Sequence, residues 1–168
     1  MGLDVSAYKN VKRLESFVAD EYGEPKDIET VQVSIAGFKE RAGNIVDGYY
    51  TYEDEYGFRA GSYSGYNNWR NELARLAGYK ITKYTEIGQE RECYAAGAWQ
   101  SESGAFWELI NFSDCEGVLG TEVCRKLLAD FIEYDEHAKD FDSNFYERYK
   151  EWTEGMKYAA ENGLFDFH

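Results

Sequence analysis

The sequence has little proline, histidine or cysteine, and it has no long apolar run. The single proline, Pro25, argues against several domains joined by proline-rich linkers. Two histidines are too few for the common zinc-binding patterns. No window approaches the ~18 consecutive apolar residues of a membrane-spanning helix, and the N-terminus lacks the apolar core of a secretory signal. We therefore expect no membrane partner and no export by that route.

The three cysteines, Cys93, Cys115 and Cys124, are an odd number and form no Cys-x-x-Cys pair. Small secreted disulfide scaffolds contain more cysteines, usually in even numbers. The pattern favours reduced thiols and a cytoplasmic location. The sequence also lacks a serine-hydrolase elbow and a metalloprotease motif. From recognised motifs we therefore assign no catalytic residue, no cofactor and no metal site.

Acidic side chains outnumber basic ones, 32 to 18, and the formal net charge is −14. Nucleic-acid backbones and anionic membranes repel such a chain, so general nucleic-acid binding is disfavoured. A basic protein surface is attracted instead, although acidic charge also serves solubility alone. The charge is uneven. Residues 58–84 contain five basic and one acidic side chain, whereas residues 108–168 contain fifteen acidic and six basic ones.

Composition and pattern predict one α+β domain over residues 1–168. Apolar residues make up 43% of the chain and aromatic residues 17%, which suits a folded core. Residues 11–22 fit a helix or a strand, and residues 86–99 fit a helix or a loop. Four other segments predict strands: residues 2–8 (an edge strand or its lead-in), 30–38 (half-buried, with Val31, Val33 and Ile35 on one face), 47–58 (a strand or hairpin arm) and 105–112 (apolar and therefore central).

Three segments predict helices, which we expect to pack on one face of a small mixed or antiparallel sheet, with a C-terminal helix pair. Each segment has an apolar stripe at helical spacing and a terminal signal. They are residues 69–79 (capped by Asn67 or Asn68, with Trp69, Leu73 and Leu76 on one face and Gly78 at the C′ position), 122–138 (behind Thr121) and 144–162 (with Phe145, Tyr149, Trp152 and Met156 in one stripe, stopped by Gly163).

The segment RAGSYSGYNN (residues 59–68) predicts an irregular loop before the first of these helices. Glycine and serine let backbone N–H groups approach an anion, and the helix N-terminus adds a favourable dipole. Tyrosines here could stack on a base, and arginines could clamp a phosphate. The alternative is a surface loop that caps the helix, its arginines paired to the acidic remainder. The candidate ligand-binding residues are Arg59, Ser62, Tyr63, Ser64, Tyr66, Asn67 and Arg70.

A second unusual segment, NFSDCEGVLGTE, covers residues 111–122. Asp114 and Glu116 are candidate ligand residues, because paired carboxylates at the end of a sheet strand can act as acid and base or hold a hydrated cation. The segment partly matches an EF-hand loop, but Phe112 and Val123 occupy positions that require acidic ligands. The alternative is a tight turn in which Asp114 caps the backbone and Gly117 takes a positive φ.

Three segments together resemble an uncharacterised family of small proteins from tailed phages and bacterial prophage regions. They are MGLDVSAY at the start, GSYSGYNNWRNELARLAGY at 61–79 and ELINFSDCEGVLG at 108–120. The resemblance is strongest over residues 59–131 and weakest in the C-terminal helices. It carries over no activity, but it implies expression inside a bacterial cell.

Three functions are compatible with these observations. The leading hypothesis is a non-enzymatic, phage-derived acidic binding protein that modulates a host process, such as a defence system, by contacting a host protein. The second is a small-ligand binder that sequesters a phosphorylated, nucleotide-like signal through residues 59–70. The third is an enzyme that uses Asp114 and Glu116 with a divalent cation.

Overall fold

The computed structural model describes residues 2–168. Its main sheet is antiparallel and contains β1 (Leu3–Lys9), β5 (Asp54–Gly61), β8 (Gly117–Gly120) and β9 (Leu164–Phe167), in the order β5-β1-β9-β8. The strand predicted over residues 2–8 is confirmed as β1, but its expected edge position is wrong, because β1 pairs with β5 on one side and with β9 on the other. The second partner of β1 is β9, which lies at the far end of the chain, and no local sequence pattern predicts that pairing.

Two smaller sheets complete the β structure. One has the order β2-β4-β3 and contains β2 (Lys12–Arg13), β3 (Val31–Val33) and β4 (Gly48–Thr51). The other is a hairpin of β6 (Thr82–Glu86) and β7 (Gln89–Cys93). The strand predicted over 30–38 is confirmed only for its first part, where Val31 and Val33 are both buried. The predicted strand or hairpin arm over 47–58 is confirmed as β4 and β5.

Six helices are present in the described chain: α1 (Lys39–Ala42), α2 (Tyr63–Leu76), α3 (Tyr94–Trp99), α4 (Trp107–Ile110), α5 (Thr121–Ala138) and α6 (Ser143–Ala160). The predicted C-terminal helix pair is confirmed as α5 and α6, which pack against each other. The α+β class with an antiparallel sheet is confirmed as well. No helix within residues 2–168 combines the length and apolarity that crossing a bilayer requires.

Helix α2 begins six residues earlier than predicted, so the irregular loop expected over residues 59–68 is wrong. The Ser62 hydroxyl accepts a 3.1 Å hydrogen bond from the Gly65 N–H and caps the helix. Glycine, serine and asparagine are weak helix formers, but Tyr66 continues the apolar stripe of Trp69 and Leu73 into the core. Burial of that stripe outweighs the weak local propensity. The helix ends as predicted, with Gly78 at φ 84°.

The central strand predicted over 105–112 is also wrong, because this segment forms α4. Phe106 takes a left-handed conformation before the helix, and its N–H donates a 2.8 Å hydrogen bond to the Asp130 carboxylate. Phe106, Leu109 and Ile110 are buried. Their spacing is helical, but a short apolar run fits a buried strand as well as a buried helix.

Aromatic stacking at Trp152 joins the helices to the sheet. The indole of Trp152 is 1% exposed, and its ring centroid lies 5.5 Å from Tyr66, 5.3 Å from Trp69 and 5.2 Å from Phe165. These partners belong to α2 and β9, whereas Trp152 belongs to α6. The core therefore fixes α2 against the sheet. The position of α2 in turn fixes the side chains on its other faces.

Candidate binding sites

The serines of the 59–70 segment have local structural roles. Ser62 is the N-cap of α2, and the Ser64 hydroxyl lies 3.3 Å from the Ser62 hydroxyl. Tyr63 is half-buried against the main core. Tyr66 is fully buried, and burial raises the pKa of its hydroxyl. Tyr66 therefore stacks on protein aromatics and presents no face to a ligand.

The two arginines proposed to clamp a phosphate lie in different environments. Arg59 is on β5 with its side chain 63% exposed, and its Nη1 is 3.8 Å from the Asp4 carboxylate. Arg70 is buried, eight residues beyond Ser62 in α2, which corresponds to ~12 Å of helix rise. The structure therefore does not bring Arg59 and Arg70 together at the start of α2.

Arg70 is held by backbone carbonyls and by an amide. Its Nη1 donates to the carbonyl oxygens of Phe112, at 2.5 Å, and Ile110, at 3.4 Å. Its Nη2 donates to Oδ1 of Asn67, whose Nδ2 in turn donates a 2.8 Å hydrogen bond to Asp114. The guanidinium thus fixes α2 to the end of α4. It is linked to the Asp114 carboxylate only through the Asn67 amide.

Asp114 and Glu116 do not follow a sheet strand, because they lie in a turn between α4 and β8. The Ser113 hydroxyl, rather than Asp114, accepts the N–H groups of Cys115 and Glu116, at 3.2 and 3.1 Å. Gly117 has a φ of 140°, as predicted for a tight turn. No three His, Cys, Asp or Glu side chains within residues 2–168 are arranged to hold a metal ion.

A cleft of about 320 Å³ opens beside the buried guanidinium of Arg70. We name it the amide cleft, because three asparagines of α2 form one wall and aromatic side chains of the β6–β7 hairpin and α3 form the other. The lining residues are Asn67, Asn68, Arg70, Asn71, Tyr84, Glu86, Cys93, Ala95, Trp99 and Ile110. Of the sequence-predicted site residues, Asn67 and Arg70 line this cleft.

Two opposing elements of the amide cleft are held rigidly. Asn71 Oδ1 accepts the N–H groups of Tyr94 and Ala95, at 2.8 and 3.1 Å, and so attaches the start of α3 to α2. Tyr84 meets Trp99 edge-on at 5.2 Å. Sequence reasoning missed Asn68, Asn71, Tyr84 and Trp99 as cleft residues, because nothing in the sequence links α2 to the ambiguous 86–99 stretch.

A second surface is the acidic loop, which we define as residues 14–30. It contains six carboxylates and one lysine, and most of it lies outside regular structure. Apolar side chains are exposed between the carboxylates: Tyr22 is 81% exposed and Val18 74%. Within the described chain, Glu15, Glu21, Glu24 and Asp27 form no ion pair.

The acidic loop is ordered by its own hydrogen bonds. Ala19 and Pro25 form a β-bridge, and the Asp20 carboxylate accepts the N–H groups of Tyr22 and Glu24, at 2.8 and 2.9 Å. At its base, the ring of Phe17 packs edge-on against Tyr49 at 5.1 Å. The exposed side chains at the tip are therefore presented on a fixed backbone.

The acidic C-terminal helices differ from the acidic loop, because most of their cations are paired within the helices. Five of the six basic side chains in residues 108–168 form ion pairs with carboxylates of the same region, in the pairs Arg125–Glu122, Lys126–Glu108, Lys126–Asp130, Lys139–Asp135, Lys139–Glu136, Lys150–Glu147 and Lys157–Glu154. The net charge of this region is therefore spread over a surface of mixed sign.

Comparisons with protein-family models, with curated proteins and with solved structures find no match to this chain.

Proposed function

We propose that this protein acts by binding, and that its acidic loop contacts a basic, partly apolar surface of a bacterial host protein. The observation that supports the proposal is the combination, within the acidic loop, of unpaired carboxylates with the exposed side chains of Val18 and Tyr22. Exposed aromatic side chains supply much of the energy of protein interfaces, and like-charged clusters steer a partner of opposite sign.

The ordered backbone of the loop supports this function physically. A segment that is already held by the Asp20 turn and the Ala19–Pro25 bridge loses little conformational freedom when it binds. The net charge of −14 adds long-range attraction toward a basic partner. The resemblance to phage and prophage proteins favours a host protein as the partner class and the bacterial cytoplasm as the location.

The test uses the tagged protein expressed in bacteria, identification of any stoichiometric partner, and a titration with that purified partner. We expect affinity to fall as salt rises. Tyr22→Ser is expected to weaken binding by at least ~2 kcal/mol, the scale of an aromatic hot spot. The double variant Glu21→Gln/Glu24→Gln is expected to slow association.

The matched control is Glu133→Gln/Asp140→Asn, which removes two exposed carboxylates from the C-terminal helix region. We expect it to bind as the unaltered protein does. Equal binding by the loop variants, or loss of binding in the helix control, would show that the acidic loop is not the interface.

A further inference from the structure

We propose that the amide cleft binds a nucleoside or free nucleobase whose ring carries a keto oxygen next to a ring N–H group, as uracil and guanine do. This site is separate from the acidic loop, and its test does not depend on the proposed protein partner. Five features of the lining support it: its size, its aromatic wall, its fixed amide donor, its buried positive charge and its carboxylate acceptor.

The size and shape of the cleft suit one small ring system. Its volume of about 320 Å³ lies at the lower end of the range for small-molecule sites, roughly 300–1,000 Å³. The Asn71 hydrogen bonds join α2 to the start of α3, and α3 directly follows strand β7 of the hairpin. The space is therefore built into the fold.

The aromatic wall offers a stacking surface. Trp99 is 47% exposed, unlike Trp152 and Trp69, which are buried. Tyr84 meets the Trp99 ring edge-on at an interplanar angle of 88°. An exposed indole in a concave surface is a favourable platform for a planar heteroaromatic ring.

The amides and the guanidinium favour oxygen acceptors on that ring. Because Asn71 Oδ1 already accepts two N–H groups, its Nδ2 is the group left to donate. Arg70 is 9% exposed and forms its hydrogen bonds with neutral oxygens, so no carboxylate compensates its charge by direct contact. A positive charge at the base of a cleft attracts electron-rich carbonyl oxygens.

The lining also supplies a hydrogen-bond acceptor for the ring N–H of such an edge. Glu86 lines the cleft, and its carboxylate lies 3.1 Å from Nε of Arg91. A ring that carries a keto oxygen beside an N–H group matches the donors and the acceptor of the lining together. Adenine and cytosine carry an exocyclic amino group where guanine and uracil carry the keto oxygen, so they match less well. Among the described residues of the lining, Arg70 is the one cation, and three of its five N–H groups already donate to Ile110, Phe112 and Asn67.

The experiment titrates the purified full-length chain with guanosine, uridine, adenosine and cytidine, and follows the ligands by saturation-transfer NMR. We expect guanosine and uridine to bind, and each to bind more tightly than its amino counterpart. Trp99→Ala is expected to weaken binding about tenfold or more. Asn68→Ala, at an exposed amide, is expected to weaken it about three- to tenfold.

Matched controls are Asn44→Ala, an exposed asparagine elsewhere, and Tyr22→Ala, an exposed aromatic residue of the acidic loop. Both are expected to bind like the unaltered chain, and circular dichroism confirms that every variant is folded. The proposal is overturned if no nucleoside binds at millimolar concentration. It is also overturned if keto and amino nucleosides bind equally, or if Trp99→Ala and Asn68→Ala bind like the controls.

Discussion

Asn67 donates a 2.8 Å hydrogen bond to Asp114, a residue 47 positions further along the chain. The bond joins α2 to the turn before β8, two segments that the sequence presents as separate candidate sites. Because Asn67 also accepts from Arg70, the same amide connects a buried cation to a half-buried carboxylate. This relationship changes what mutations in either segment are expected to do.

A double-mutant cycle measures this link directly. We expect Asn67→Ala and Asp114→Ala to be non-additive, with a coupling of ~0.5–1.5 kcal/mol in the free energy of unfolding. The matched control cycle pairs Asn67→Ala with Glu116→Ala, whose side chain is exposed in the same turn. Chemical denaturation gives all the values. Additivity in the first cycle would show that the hydrogen bond contributes nothing to stability.

Replacement of Arg70 is expected to destabilise the fold. Arg70→Ala leaves the carbonyl groups of Ile110 and Phe112 without their donor, and the expected loss is ~2–4 kcal/mol of unfolding free energy. Arg59→Ala is the control, because its side chain is 63% exposed and its pair with Asp4 is long. We expect that change to cost less than ~1 kcal/mol. Similar melting temperatures for the two variants would contradict a structural role for Arg70.

Truncation of Trp152 tests the aromatic centre of the core. Trp152→Ala removes a fully buried indole that contacts α2 and β9, and we expect a loss of ~3–5 kcal/mol. Trp99→Ala is the matched control at a half-exposed tryptophan, where we expect less than ~1 kcal/mol. A loss below ~1 kcal/mol at Trp152 would mean that α6 is peripheral to the fold.

Asp166 predicts a specific dependence of stability on pH. Burial raises the pKa of its carboxyl from 3.8 to about 7. Between these values the folded chain keeps a proton that the unfolded chain has released. The contribution of Asp166 to the free energy of unfolding is therefore fully present below pH 3.8 and is lost as the pH rises through about 7.

The variant Asp166→Asn removes that loss, because the amide stays neutral. Above pH ~7 we expect its free energy of unfolding to exceed that of the unaltered chain by ~1–3 kcal/mol. Near pH ~4 we expect this difference to vanish. Asp140→Asn, which removes a carboxylate at an exposed position, is the matched control. A constant difference between Asp166→Asn and the unaltered chain at all pH values would contradict the assignment.

The cysteines are expected to contribute by packing and not by cross-linking. Cys124 is fully buried, Cys115 is exposed, and Cys93 Sγ accepts the Ala96 N–H at the start of α3. The variant Cys93→Ser/Cys115→Ser/Cys124→Ala is therefore expected to fold, with a loss of ~1–2 kcal/mol that arises mainly at Cys124. Unfolding of the unaltered chain by reducing agent alone would contradict the proposed cytoplasmic location.

The sequence by itself determined the features that depend on neighbouring residues. Its periodicity predicted α5 and α6, because apolar residues recur every three or four positions over many turns. Its alternation predicted the strands near Val31 and Tyr50, and glycine predicted the helix end at Gly78 and the positive φ at Gly117. Its composition determined the net charge and the reduced-thiol expectation. These inferences need no knowledge of distant contacts.

Only the tertiary structure decided the features that depend on distant partners. The C-terminal strand makes β1 central, the aromatic core makes a helix of the glycine- and serine-rich segment after Ser62, and Asn71 brings α3 against α2 to form the amide cleft. Asp114 likewise caps no turn, because its partner lies on α2. Each outcome depends on burial or a hydrogen bond between residues far apart in sequence, whose free energy exceeds the local preferences that a sequence displays.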